Sequence, residues 1–310
     1  MSLRCPMLAE TLAKPELLAK RLPIYGSFKI DGVRATVQRM PNSGEPRLIS
    51  RAGVEIASKR LQATFAVEEL VGVDGEFSDG DPWGEKLFHR TSGLVRRIND
   101  LASDQIQFNV FDDIGQAPSS ERYRMYQSKV EIFKMLYPER AHRIDAMEQF
   151  KLMDMDQVEL MVKTAEEIGY EGVIFKKIDG HYKYDRSTWN EGLLLKWKPF
   201  VDTEAVIVGT VCRYHNANSV KQDAFGANYR GTDTDKYHAL EELGALIVEC
   251  PKFKKQFQVS GFTLQMRNEY WQKREKLIGK TIKFRYQEMG STEDAPRIPT
   301  FKGFREKWDL

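Results

Sequence analysis

The sequence predicts an α+β domain followed by a small β-barrel, and three observations carry that prediction. First, apolar and polar residues alternate over residues 24–37, 105–112 and 193–197, the period-two signature of strands. Over 59–70, 121–136 and 158–168 apolar residues instead return every three or four positions, as one face of a helix requires. Second, strands and helices mix without a strict β-α-β rhythm, which favours α+β over a doubly wound sheet. Third, the character changes after Lys198-Pro199-Phe200-Val201-Asp202. Short strand patterns follow at 203–212, 245–249, 257–260 and 281–286, with one helix near 264–277. Several strands and a single helix in about a hundred residues fit a small barrel of the OB-fold kind. The expected domains are 1–200 and 201–310, with a hinge near 199–203.

Composition bounds what the chain does. At 310 residues it is long enough for two cores, and 41% hydrophobic with 11% aromatic residues fits globular folding rather than disorder. A net charge of only +2 gives weak global attraction to a polyanion, so any nucleic-acid contact must come from local basic patches. Cys5, Cys212 and Cys250 lack C-x-x-C spacing and the five histidines lack metal-ligand spacing, which argues against a disulfide framework or a zinc site. A reducing, cytoplasmic setting is expected. No segment approaches the length of a membrane span, so no membrane partner is expected either.

One stretch interrupts the second domain. Residues 213–237 are rich in Asn, Gly, Thr and Asp, carry Arg213, Lys221, Arg230 and Lys236, and interleave them with Tyr214, Phe225 and Tyr229. A long loop of that composition fits nucleic-acid contact. Gly279-Lys280-Thr281 is not a phosphate-binding loop, because Arg274 occupies the first glycine position and a helix, not a strand, precedes it.

The chemistry resides in short motifs. In Lys29-Ile30-Asp31-Gly32-Val33-Arg34, strand alternation puts Lys29 and Asp31 on one face, and Asp31-Gly32 predicts a hairpin turn. Arg34 on the return strand would then join them at the hairpin mouth; a plain charged hairpin tip has the same pattern. Lys196 and Lys198 share a strand face with Leu195 and Trp197 behind them. That fits an edge strand guarded by lysines, or two cations aimed at phosphates that would also lower the pKa of a neighbouring nucleophilic lysine. Glu76 in Asp74-Gly75-Glu76-Phe77 and Glu171 in Glu171-Gly172-Val173-Ile174-Phe175-Lys176 are either surface glutamates or ligands for a divalent metal. Phe111 lies on the polar strand face with Gln107 and Asn109, where a base-stacking aromatic or a second packing interface would put it.

In this order the motifs resemble the covalent nucleotidyltransferase superfamily, and within it the ATP-dependent DNA ligases of the minimal viral type. The likeness runs along nearly the whole chain. It is dense from Tyr182 through Asp185-Arg186-Ser187-Thr188-Trp189 to Lys198-Pro199-Phe200, and again at Tyr286-Gln287-Glu288-Met289-Gly290-Ser291 and Pro296-Arg297-Ile298-Pro299-Thr300-Phe301. The second block separates DNA ligases from capping enzymes and RNA ligases. Asp185 stands where the family usually has glycine, and the chain ends Arg305-Glu306-Lys307-Trp308-Asp309-Leu310 rather than with a clean R-x-D-K.

The resemblance implies an α+β nucleotidyltransferase domain with ATP-grasp-like antiparallel sheets, then an OB-fold. It implies ATP as co-substrate, held as covalent AMP on Lys29, with Mg²⁺ or Mn²⁺ on Glu171 and Glu76. Arg34 would meet ribose or nick phosphate, Glu76 the ribose hydroxyl, Phe111 the adenine, and Lys196 and Lys198 the α-phosphate. Asp31 would support nick sealing, Arg51 and Arg186 would grip nick phosphates, and Arg297 would orient pyrophosphate, with Arg305 and Lys307 as helpers. Segment 213–237, with Arg213, Lys221 and Arg230, would be a latch that lets a monomer close around nicked double-stranded DNA, in replication, repair or recombination. The location would be host cytoplasm for a viral enzyme or the nucleoid for a bacterial one. An RNA ligase, a GTP-dependent capping enzyme and a non-catalytic nick binder are the rivals.

Overall fold

In the computed structural model, which describes residues 3–84, 87–99, 101–223, 225–288 and 290–305, two five-stranded sheets build the first unit. That unit runs to Lys198 and takes in Gln222–Ala227; the second comprises Pro199–Lys221 and resumes at Asn228. One sheet of the first unit has the order Glu10–Thr11, Leu194–Trp197, Gly172–Lys176, Ile24–Lys29, Phe150–Leu152. The other has the order Pro46–Ser50, Val33–Arg39, Val73–Asp79, Ile106–Asp113, Ile144–Ala146. Pairing is antiparallel except at one edge of each sheet, where Glu10–Thr11 and Ile144–Ala146 run parallel to their neighbours.

This overturns the expected hairpin at Asp31-Gly32. Ile24–Lys29 pairs with Gly172–Lys176 and Phe150–Leu152, whereas Val33–Arg39 pairs with Pro46–Ser50 and Val73–Asp79. The residues between them therefore cross from one sheet to the other. Glycine is needed at position 32 for a different reason: a Cβ there would lie 2.0 Å from the Phe77 carbonyl oxygen. The D-G signal marked a close approach, not a turn.

Each sheet has its own core. Val33, Ala35, Val37, Phe77, Phe108 and Val110 pack against Leu61 and Phe65 of helix Lys59–Phe65 and Tyr126, Val130 and Phe133 of helix Ser119–Leu136. Arg122, Tyr126, Val130 and Phe133 recur at helical spacing on the buried face of that longer helix. Under the other sheet, Ile24, Val173, Phe175 and Leu195 meet Val158, Met161 and Ala165 of Met155–Ile168. That helix starts where the Asp154 side chain accepts from the Gln157 amide and stops at Gly169 in the left-handed region.

In the second unit the sheet order is Phe257–Val259, Tyr237–Glu249, Val201–Asn216, Thr281–Gln287, Arg297–Phe304. An isolated bridge from Ser260 to Thr300 links its two ends without a continuing ladder. Helix Leu264–Gln272, capped by Thr263, and the turn Arg274–Leu277 account for the one predicted helix. The stretch 213–237 is not a loop. Val201–Asn216 and Tyr237–Glu249 run on as a hairpin through His215 and His238, and Val220–Gln222 pairs with Asn228–Arg230 beyond them. Polar β-hairpins with alternating exposed faces lack the apolar half of the strand signal, so composition alone reads them as loop. The last strand, Arg297–Phe304, and helix Leu87–Val95 also escaped the sequence reading. Among the described residues no helix is long and apolar enough to cross a membrane, and Cys5, Cys212 and Cys250 are free thiols.

Candidate active site

Both sheets of the first unit line one cavity of about 510 Å³. Strand alternation decides which side chains reach it. From the first sheet these are Ser27 and Lys29, Ile174, and Leu194 and Lys196; from the second, Arg34, Glu76 and Phe111. Ile174 lies opposite both Ser27 and Lys196 in register, so the three strands present one face. Leu194–Trp197 is an interior strand flanked on both sides, which removes the edge-strand explanation of Lys196; Lys198, expected on the same strand, follows its end.

Glu171 sits at the centre of the charge. Its backbone amide donates to the Lys29 carbonyl at 3.0 Å, and its buried carboxylate forms ion pairs with both Lys29 and Lys198. The following glycine permits this. A Cβ on Gly172 would fall 2.1 Å from the Trp197 carbonyl oxygen, so only glycine lets this strand close on the lysine strand. Burial pushes the Glu171 carboxyl up, but Lys29 and Lys198 outweigh it and hold the group below its ordinary value.

Lys29 reverses the expectation of a depressed nucleophile. Burial lowers its pKa, yet Glu171, Glu76 and Asp31 together carry it above the ordinary lysine value. The depressed lysines are its neighbours. Lys196 is lowered by burial and then by Lys198, Arg186, Lys29 and Arg51, and Lys198 by burial and Lys29 against the pull of Glu171. Like-charge repulsion operates here, but a shared carboxylate shields the residue it was expected to act on.

Arg34 is anchored rather than free. Its Nε donates to Asp74 Oδ1 at 2.9 Å and its Nη2 to Oδ2 at 2.5 Å, while the Tyr182 hydroxyl donates to the same Oδ2 at 2.7 Å. Its guanidinium also lies over the Phe111 ring, 5.1 Å from the centroid. Glu76, opposite Arg34 in register, is pushed up to about 7 by burial, with Lys29 and Arg34 pulling the other way.

Arg51 and Arg186 are exposed; Arg51 lines the cavity, and Arg186 Nη1 donates to the Ala9 carbonyl at 2.9 Å. Asp185, at the family's glycine position, takes a φ of +77°, a conformation that aspartate tolerates better than most residues. Arg213, Lys221, Arg230, Arg297 and Arg305 all belong to the second unit. There Arg213 pairs with Glu242 at 2.8 Å, Arg230 donates to the Asn218 carbonyl at 2.6 Å, and Arg305 pairs with Glu204 at 2.6 Å. Lys307 lies outside the described residues.

Among the described residues no group of three or more His, Cys, Asp or Glu is arranged to hold a metal. Glu171 Oε2 is buried and held by Lys29, so it becomes available to a cation only when that pair opens. Two carboxylates and open cavity space fit a cation that takes its remaining ligands from phosphates and water, as Mg²⁺ does, and not a closed protein cage.

Sequence reasoning missed Ser27, Ile174, Phe88, Arg96, Asp112 and Lys176, all of which line the cavity. Ser27 was within reach, two residues before Lys29 on the same strand face. Phe88 and Arg96 were not, because the helix that carries Phe88 and ends just before Arg96 was not seen.

The family model described as "ATP dependent DNA ligase domain" matches residues 6–198, and that described as "DNA ligase OB-like domain" matches 238–305. A DNA ligase of African swine fever virus is 26% identical over 297 residues, which is 90% of this chain and 62% of that protein. The chain thus spans less than two thirds of the length of the viral relatives it matches. The crystal structure of chlorella virus DNA ligase-adenylate covers 99% of both chains at 26% identity and a TM-score of 0.52. A Lig E DNA ligase, described as binding DNA with a minimal scaffold, shares the fold at 21% identity and a TM-score of 0.66, over 97% of this chain and 99% of its own.

Proposed function

This chain belongs to the ATP-dependent DNA ligase family, and from that premise we propose that it seals 5′-phosphate/3′-hydroxyl nicks in duplex DNA through lysyl-AMP and DNA-adenylate intermediates. The observation that carries the reading is a cavity lined by Lys29, Lys196 and Arg51, with Phe111 on the facing sheet and with Lys198 and Arg186 close enough to act on Lys196. Burial first and neighbouring cations second hold Lys196 and Lys198 below their ordinary pKa, a cluster poised for a polyanion, and nucleotidyl transfer rests on such positioning and neutralisation.

In this mechanism Phe111 stacks the adenine, Glu76 meets the ribose, and Lys196 and Lys198 hold the α-phosphate. Lys29 attacks only as the free amine, so its pair with Glu171 must open first; burial then favours the neutral form. Its Nζ bonds the α-phosphorus as the bond to pyrophosphate breaks, with Arg297 orienting the departing pyrophosphate. The AMP next passes to the 5′-phosphate of the nick, whose flanking phosphates Arg51 and Arg186 grip. Asp31 supports attack by the 3′-hydroxyl, which displaces AMP. Arg34, locked on Asp74, acts by fixing Phe111 and presenting its remaining N–H groups. Glu171, with Glu76, would hold Mg²⁺, which when bound supplies charge neutralisation on the phosphates. The hairpin carrying Arg213, Lys221 and Arg230 serves as the latch around the duplex, and the protein acts as a monomer.

The test is direct. Wild type and Lys29→Ala are incubated with ATP labelled on the α-phosphate, then given nicked duplex. Wild type takes up label and discharges it onto DNA, and the alanine variant takes up none. Label on the alanine variant, or none on wild type, overturns the reading. GTP in place of ATP with RNA 5′ ends as acceptor tests the capping alternative, and a nicked RNA duplex tests the RNA-ligase alternative.

A further inference from the structure

Lys176 closes the second glutamate motif, is almost fully buried, and has no part in the scheme above. Its Nζ donates to the Phe111 carbonyl at 2.9 Å and pairs with Asp112 Oδ2 at 3.0 Å. A β-bulge explains why that carbonyl is available. Asp74 faces Asp112 and Gly75 faces Val110, so Phe111 is the extra residue with no partner on the neighbouring strand.

Asp112 has no need of Lys176. Arg122, fully buried, already engages it at 2.8 Å through Nε and 3.4 Å through Nη2, and is itself fixed by the Ala117 and Gly180 carbonyls at 2.6 and 2.8 Å. A second buried cation here leaves the cluster with excess positive charge, which is costly to desolvate. A methionine would fill the same volume without that cost. What the ammonium adds is a charged hydrogen bond to the Phe111 backbone. The ring is meanwhile held from the other end by Arg34, itself bound to Asp74.

We propose that Lys176 is a positioning residue for the nucleotide, acting through Phe111: it fixes the bulged peptide so that the ring stands ready before the base arrives. The proposal rests on the nucleotide-binding reading above and names a residue that reading leaves unassigned. A preformed platform lowers the ordering cost of binding, so its loss appears in KM.

The experiment measures the rate of lysyl-AMP formation against ATP concentration for wild type, Lys176→Met and Lys176→Gln, each also in a Phe111→Ala background. Loss of one charge-assisted hydrogen bond raises KM for ATP about tenfold in the methionine variant, with the plateau rate held within about threefold. Glutamine, a neutral donor, raises KM about threefold. With the ring removed, neither change at 176 shifts KM further, because the effect travels through Phe111. If the methionine variant does not fold, the glutamine pair is read by the same criteria. An unchanged KM, a plateau that falls at constant KM, or additive effects in the Phe111→Ala background would each overturn the proposal. Failure of wild type to form lysyl-AMP would instead overturn the nucleotide reading itself.

Discussion

The two units spend their charges differently. Besides exposed pairs such as Arg39 with Glu68, the first buries ion pairs with shared partners: Glu171 serves Lys29 and Lys198, and Asp112 serves Arg122 and Lys176. The second carries comparable pairs in solvent, such as Lys254 with Glu293 and Arg285 with Asp202, on side chains that stay substantially exposed. Buried shared pairs fix geometry and shift protonation, because removing one partner strands the other in low dielectric. Exposed pairs exchange readily with water, salt or phosphate. The contrast accords with the proposed function, in which the first unit positions reacting atoms and the second meets a large anionic surface.

The largest effect that would sharpen this contrast is on stability. Arg122→Met removes two charged hydrogen bonds from buried Asp112, leaving it Lys176 alone, and takes the Arg122 donor from the Ala117 carbonyl, so unfolding in urea should show a loss of about 3–5 kcal/mol. A loss below about 1 kcal/mol would show that burial does not separate the two kinds of pair.

Next comes Glu76. Its folded-state value of about 7 lies above the ordinary carboxylate range, so the folded chain holds an extra proton between them. The stability linked to that proton is fully present below the ordinary range and is lost as pH rises through about 7. The slope reaches at most about 1.4 kcal/mol per pH unit, and Glu76→Gln should abolish it when urea unfolding is followed from pH 5 to 8. Identical slopes for the two proteins would refute the assignment.

The smallest effect belongs to the exposed pair. Arg285→Ala leaves Asp202 its second partner, Lys283, at 3.1 Å, so the cost should stay within about 0.2–1 kcal/mol and shrink in high salt. A cost as large as that of Arg122→Met, insensitive to salt, would erase the distinction between the units.

Much of the molecule was legible from the chain. The helix over 119–136 was readable because its buried side is stamped at helical spacing, and Leu194–Trp197 because its faces alternate. Lys29, Glu76, Phe111 and Lys196 were found as motif members, and all line one cavity. The polar hairpin between His215 and His238 was not readable, since exposed strands have no apolar face to announce them.

What the sequence determined by itself were the local patterns: period, motif order and family resemblance, each fixed within a few residues of chain. What only tertiary structure decided was partnership. Asp31-Gly32 became a crossover because Val33–Arg39 found Val73–Asp79 rather than Ile24–Lys29. Lys29 rose in pKa because Glu171, far away in sequence, lies beside it. Backbone preferences act between neighbours along the chain, whereas electrostatics and strand pairing act through space, so only the assembled structure reveals which charges meet.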